Sequence, residues 1–270
     1  MGRRPGGRPA AALALMALSV LSALALFPVA ARARSRPRFE PTDLEWEETG
    51  VFEFDLEVGA LRSAGPWRVM VADVELDVGL LPNLEFGLDG AIAVEGPAVG
   101  PFSFDHALYD VLWASAKIGL YDDLDEQTQR TRAIGVQVGP KLPVRQTHGV
   151  GGEMLLIAGT RARPLTFAFN VGGFVDPAPD VTTYRPWGAE AGVDLEIDLG
   201  SNDRFTLTGE LAGIMFGSAD ANQMHASAGL TWSVNPNLDL SVVGLVGFLG
   251  GDDRYGFLVG AEPKLRLFRR

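Results

Sequence analysis

The residues able to do chemistry are few, and they are poorly grouped for catalysis. The 270-residue chain holds three histidines, His106, His148 and His225, and no cysteine. Without thiols there is no disulfide framework, thiolate metal centre or cysteine nucleophile. His225 stands two residues from Ser227, so on a strand both side chains face the same way. A nucleophilic serine needs a histidine within hydrogen-bond reach and a third group to orient it. Two polar groups in a row along one face make a lining more readily than such a triad. His106 lies near Ser103 without an evident third member, and no Gly-x-Ser-x-Gly is present. No catalytic residue is assigned. Two acidic runs, Asp122-Asp123-Leu124-Asp125-Glu126 and Gly250-Gly251-Asp252-Asp253, offer oxygens for Ca²⁺ but lack the spacing of an EF-hand loop. They read as solvated turns, and no metal or cofactor is expected.

Acids recur instead at every second position. Glu53, Asp55 and Glu57 alternate with Phe52, Phe54, Leu56 and Val58, while Asp73, Glu75 and Asp77 alternate with Met70, Ala72, Val74, Leu76 and Val78. Glu85 and Asp89 interleave Leu84, Phe86, Leu88 and Ile92. Glu190, Asp194, Glu196 and Asp198 interleave Ala189, Ala191, Val193, Leu195, Ile197 and Leu199. Glu210, Asp239 and the bases Lys117, Lys141, Lys264 and Arg266 hold the polar phase of other segments. Period two is the pattern of a strand with unlike faces.

Twelve such segments are predicted, at 51–60, 68–80, 84–94, 108–120, 132–142, 151–160, 165–174, 187–199, 204–214, 223–234, 238–249 and 254–267. Their length and number predict a membrane-spanning antiparallel up-and-down β-barrel, apolar outside and polar inside. Connections at Leu81-Pro82-Asn83, 161–164, 200–203 and Asn235-Pro236-Asn237 are tight, whereas 95–107 and 175–186 are long. Short turns are expected in the periplasm and long loops outside the cell. Pro82, Pro164 and Pro236 then mark periplasmic turns, and Pro97, Ser103 and Pro179 mark external loops. Two stretches fit badly: Tyr121–Thr131 is long and acidic where a short turn is expected, and the sixth segment carries the unbroken apolar run Met154–Ile157. Eight or ten strands therefore remain an alternative. Seven of the nine Trp and Tyr residues (Trp67, Tyr109, Tyr121, Tyr184, Trp187, Trp232 and Tyr255) fall at segment ends, where an interfacial belt would sit. Trp46 and Trp113 do not.

The N-terminus has Arg3, Arg4 and Arg8 before an apolar run from Pro9 to Ala31, the layout of a cleaved secretory signal ending near residue 33. An uncleaved anchor helix is the alternative. Removing residues 1–33 takes four of 23 bases and none of 34 acids, so the remaining chain carries 19 bases and a net charge of −15. Such a chain is repelled by nucleic acid. Residues 34–50, acidic and Pro-bearing, read as a periplasmic tail or a partial plug, and 51–270 as the barrel.

The order Pro82-Asn83-Leu84-Glu85-Phe86-Gly87-Leu88, then Asp110-Val111-Leu112-Trp113 through Lys117-Ile118-Gly119-Leu120, then Gly139-Pro140-Lys141-Leu142-Pro143 resembles outer-membrane barrels grouped as "meta-pathway of phenol degradation" proteins. The resemblance implies an outer-membrane channel or transporter, with no catalytic residues to carry over. Its expected partners are outer-membrane lipid, small solutes and the barrel-assembly machinery. The polar phase then lines the lumen, and its excess of acids is expected to favour cations. Alternatively these acids fill the interior through ion pairs, as in a non-conducting structural barrel; a lipid hydrolase using His225 or His106 is the second alternative. In a closed barrel Lys264 and Arg266 are expected beside Glu53 and Asp55, fixing the closing register.

Overall fold

The computed structural model describes residues 46–62, 67–96, 107–109, 112–125, 130–142, 150–175, 187–200, 204–217, 222–250 and 252–267. The expected signal segment, residues 34–45, His106, His148 and the loops around Pro97, Ser103 and Pro179 lie outside the described residues. Thirteen strand segments follow one another: β1 Val51–Arg62, β2 Trp67–Leu81, β3 Leu84–Gly96, β4 Ala107–Tyr109, β5 Leu112–Asp125, β6 Arg130–Leu142, β7 Gly151–Ala162, β8 Leu165–Val175, β9 Trp187–Leu199, β10 Phe205–Phe216, β11 Gln223–Asn235, β12 Leu238–Gly247 and β13 Tyr255–Arg266. Both β4 and β5 pair with β3, β4 against Ile92–Val94 and β5 against Leu84–Asp89, so together they form one stave.

Every stave pairs antiparallel with its neighbours in sequence, and β1 pairs with β13 over Val51↔Arg266 to Arg62↔Tyr255. The ring is closed: the fold is a twelve-stranded antiparallel up-and-down barrel. Closure removes both sheet edges, the condition for strands to cross lipid without unsatisfied backbone groups. No described helix is long and apolar enough to cross a membrane, so crossing falls to the strands.

A single closed sheet has only one inside, so the buried phase of each strand must face the lumen. The buried phase is the polar one on β1, where Glu53, Asp55 and Glu57 are buried and Val58 is 44 % exposed. The outer phase carries exposed Phe86, Leu156, Phe167, Phe169, Leu195, Leu207, Leu211, Val242 and Phe257. A surface so apolar over the whole wall is unfavourable in water and suits hydrocarbon. Trp187, Trp232, Tyr121 and Tyr255 are exposed at strand ends, and Phe205 stacks on Trp232 at 6.3 Å. These are the places of an interfacial belt.

The structure corrects three local expectations. The long acidic stretch after Tyr121 is mostly strand: β5 continues to Asp125 beyond a register shift between Gly119 and Tyr121, and β6 begins at Arg130. In backbone register Asp123 stands opposite Arg132 and Asp125 opposite Arg130, so acidic and basic positions face one another along the ladder. The run Met154–Ile157 also alternates, because Leu155 and Ile157 are buried while Met154 and Leu156 are exposed. On β2 the alternation does not run unbroken from Met70, since a bulge between Met70 and Ala72 shifts the register and sets Met70 opposite Gly59. Such a bulge inverts the phase on its far side.

Candidate functional site in the barrel lumen

Backbone register brings the polar phases of separate strands into rows on the inner wall. Glu53 faces Asp77, Asp55 faces Glu75 and Glu75 faces Asp89 across the first three staves. On the other arc Asp194 faces Glu210 and Asp239 faces Glu262. Glu85, Glu196 and Lys117 are buried on the same inner surface, with Glu190 half-buried beside them. The Asp73 backbone pairs with Glu57, and its side chain lies outside the described residues. Like charges directly opposite one another repel, so these rows have to be neutralised by bases, protons or ions.

Five bases supply part of that neutralisation. Lys117 Nζ lies 4.0 Å from Glu85, Lys141 Nζ 2.7 Å from Glu153, and Arg161 Nη2 3.0 Å from Asp198. Lys264, 6 % exposed, touches Glu47 at 3.1 Å, Glu262 at 3.1 Å and also Glu53. Its Cα partner across the closing seam is Glu53, so Lys264 stands beside Glu53 as expected. Arg266 instead pairs with Glu48, not with Asp55.

Glu47 and Glu48 belong to a segment that folds into the mouth where β1 begins and β13 ends. The Val51 N–H donates to the Glu48 carbonyl at 2.8 Å, closing a turn in which Gly50 has φ 84°. Glycine takes that left-handed conformation without strain. The chain thus enters β1 from inside the mouth. The Glu47 N–H donates to Glu85 Oε2 at 2.6 Å. Trp46 packs on Ala133 and Ala168, with Lys117 Nζ 5.8 Å from its ring centroid. A Cβ on Gly119 or Gly135 would meet that ring at 3.2 or 2.8 Å, so two inner-face glycines make the bed for Trp46. Burial, followed by the charge of Glu53, raises the Glu47 carboxyl from 4.5 to about 8.

Towards the opposite mouth the lumen turns apolar. Leu61, Leu155, Ile157, Phe174, Val243, Leu245 and Leu258 are all buried on the inner phase. Lys141 Nζ lies 4.8 Å from the Phe174 ring centroid, and Phe174 meets Phe216 edge-on at 5.7 Å. His225 Nδ1 is 3.4 Å from Asp252 Oδ1, an orienting pair in form. Ser227, two residues along β11 from His225, lies opposite Glu210 and Leu245.

Trp46, Glu47 and Glu48 lie in the 34–50 segment that reads from sequence as a periplasmic tail or a partial plug, but the sequence does not single them out, nor Arg161, Glu153, Glu262 or the apolar half of the lumen. Part of the signal was available: Trp46 and Trp113 were the two aromatics that did not suit a belt, and Trp113 shares the inner phase of β5 with buried Ser115 and Lys117.

No family model matches the sequence, and no curated protein matches it. Among solved structures it is similar to a NanC porin, at 10 % identity and a TM-score of 0.53 over 78 % of this chain and 100 % of that one. It is also similar to an outer-membrane channel from Pseudomonas putida F1, at 9 % identity and a TM-score of 0.58 over 84 % of this chain and 99 % of the other. At such identities the likeness is one of fold. The chain has the architecture and the lipid-facing surface of an outer-membrane barrel.

Proposed function

We propose that this chain is an outer-membrane channel for passive passage of small solutes, with a cation-favouring lumen and a periplasmic mouth narrowed by Trp46, Glu47 and Glu48. The observation that carries the reading is the charge balance of the inner wall. Lys117, Lys141, Arg161, Lys264 and Arg266 each already sit against an acid, and the acids facing one another across the ladder far outnumber them. A wall of that sign concentrates cations and excludes anions. The resemblance to the phenol meta-pathway barrels and the fold shared with two channels support a transport role.

One observation favours a non-conducting barrel: Asp194 is 1 % and Asp239 0 % exposed, as expected of an interior filled by its own side chains. Planar-bilayer recording separates the two. The native barrel is expected to pass a small cation-selective current, and Trp46→Ala is expected to enlarge it by removing the ring from the mouth. A barrel silent both as wild type and as Trp46→Ala refutes the channel reading.

A further inference from the structure

We infer that the outer wall carries a seat for one acyl chain of a bilayer lipid, at the end of the barrel away from Trp46. The seat is a groove of about 650 Å³ across β6, β7, β8 and β9. Backbone register builds it. Val138 faces Met154 and Met154 faces Gly173 in one row, while Gly152 faces Val175 and Val175 faces Trp187 in the next. These residues hold the outer phase: Met154, Val175 and Trp187 are 58, 53 and 57 % exposed, whereas Leu155 and Phe174, their chain neighbours, are buried on the inner phase. Val138, Met154, Val175 and Trp187 make the walls, and Gly152 and Gly173, lacking side chains, leave the floor at the level of the backbone. Glu153 and Phe174 also border the groove, and since both side chains point inward to Lys141, they do so with backbone.

What fills the hollow follows from where it opens. It is continuous with the lipid-facing wall, whose exposed Leu156, Phe169 and Val171 come next on the same strands. Its wall side chains are apolar and its floor is backbone engaged in the sheet ladders, so it has little to hold a headgroup, a sugar or a peptide. Left unfilled, its lining would lack dispersion partners on one side. Association inside a bilayer rests on such packing, because lipid tails are as apolar as the wall they cover. A hydrocarbon chain is narrow and flexible enough to touch both walls and the floor at once, whereas the convex wall around the groove touches a chain from one side only. Trp187, at a strand end with its ring against Gly217, marks the interfacial level at which the headgroup of that lipid stands. A second barrel would have to bring a ridge into this concave site, while the acyl chain enters from the bilayer that already covers it.

Photolabelling tests the proposal, with the barrel in phosphatidylcholine vesicles doped with a phosphatidylcholine that carries a diazirine on one acyl chain. After illumination the adducts are mapped by peptide mass spectrometry. Met154 and Val175 are expected to be labelled several-fold more than Leu211 and Val242, which stand on the plain outer wall. Gly152→Leu fills the floor, where a Cβ meets only the Gly139 carbonyl oxygen at 3.6 Å, an ordinary contact. It should bring Met154 and Val175 down to the level of Leu211. Gly244→Leu, on the outer face of β12 with its nearest contact at 3.9 Å, should leave the pattern unchanged. Heat-modifiable gel migration reports whether each variant folds; Gly152→Ala needs less room, and its labelling at Met154 must fall in part should Gly152→Leu not fold. Adducts spread evenly over the wall, or groove adducts that survive the Gly152 variants, overturn the proposal. So does light scattering that finds a dimer in the wild type and a monomer in Gly152→Leu, since the occupant would then be a second barrel.

Discussion

Removing the Lys264 ammonium is the sharpest test of how the barrel is closed. Lys264 is nearly buried and touches Glu47, Glu53 and Glu262, so Lys264→Met keeps much of the apolar stem while leaving three carboxylates around it. Breaking a buried ion pair from one side costs about 3–5 kcal/mol. The Glu47 side chain is 17 % exposed and relaxes towards water, which favours the lower end, about 3 kcal/mol. That is a large share of a typical stability of about 5–15 kcal/mol, and it lowers the folded-to-unfolded ratio by about a hundredfold. Urea unfolding of the barrel in lipid vesicles, followed by Trp fluorescence and gel migration, measures it. Adding Glu53→Gln and Glu262→Gln to Lys264→Met removes most of the repulsion and should recover much of the loss. A single variant losing under about 1 kcal/mol, as a solvent-exposed pair would, refutes the reasoning. So does a triple variant as unstable as the single one, since the loss would then be one of packing.

Two further outcomes follow from the same geometry. Leu211, on the lipid face beside Glu210 and 41 % exposed, should not tolerate Arg: near the midplane the cost is about 2–4 kcal/mol, seen as reduced assembly by gel migration, and silent behaviour would mean the faces are swapped. The Glu47 carboxyl, raised from 4.5 to about 8 by burial and by Glu53 despite Lys264, holds a proton more tightly docked than undocked. Docking of the segment is therefore strongest below about pH 4.5 and weakens as pH rises through about 8. Conductance should rise between pH 6 and pH 9 in the wild type and stay flat in Glu47→Gln; equal profiles would detach Glu47 from the mouth.

Strand positions were legible because each stave has unlike faces. Ala189 to Leu199 alternates without a break, and β9 spans Trp187–Leu199. The less legible places are those where period two fails to separate the phases. Met154–Ile157 is apolar on both faces, since Leu155 and Ile157 point into an apolar half of the lumen that hydropathy alone cannot distinguish from lipid. Asp122–Asp125 looks like a turn because its acids are many, yet it lies in β5, where the backbone register sets Asp123 opposite Arg132 and Asp125 opposite Arg130. Cross-strand partners of that kind depend on register, which a bulge at a single residue resets.

The lumen was legible as a list and not as an arrangement, for a reason that lies in how closure works. Alternation names every inward residue of a stave but says nothing about which acid meets which base. That is set by the shear of the ring, which joins Lys264 to Glu53 over more than two hundred residues. The N-terminal segment lies further still from any periodic signal. Its place follows from one turn at Gly50 and from the space that Gly119 and Gly135 leave for an indole. Those glycines sit on the inner phase, where a side chain would ordinarily fill the barrel. An inward glycine in two neighbouring staves, beside an acidic segment with a tryptophan that no interfacial belt claims, is a pattern a sequence can carry. It reads as a mouth occupied by the segment ahead of β1, and the contacts of Glu47 with Lys264 and of Glu48 with Arg266 tie that occupant to the closing strand. Closure of the sheet and narrowing of the mouth therefore share the same two bases, so a change at Lys264 is expected to alter stability and conductance together.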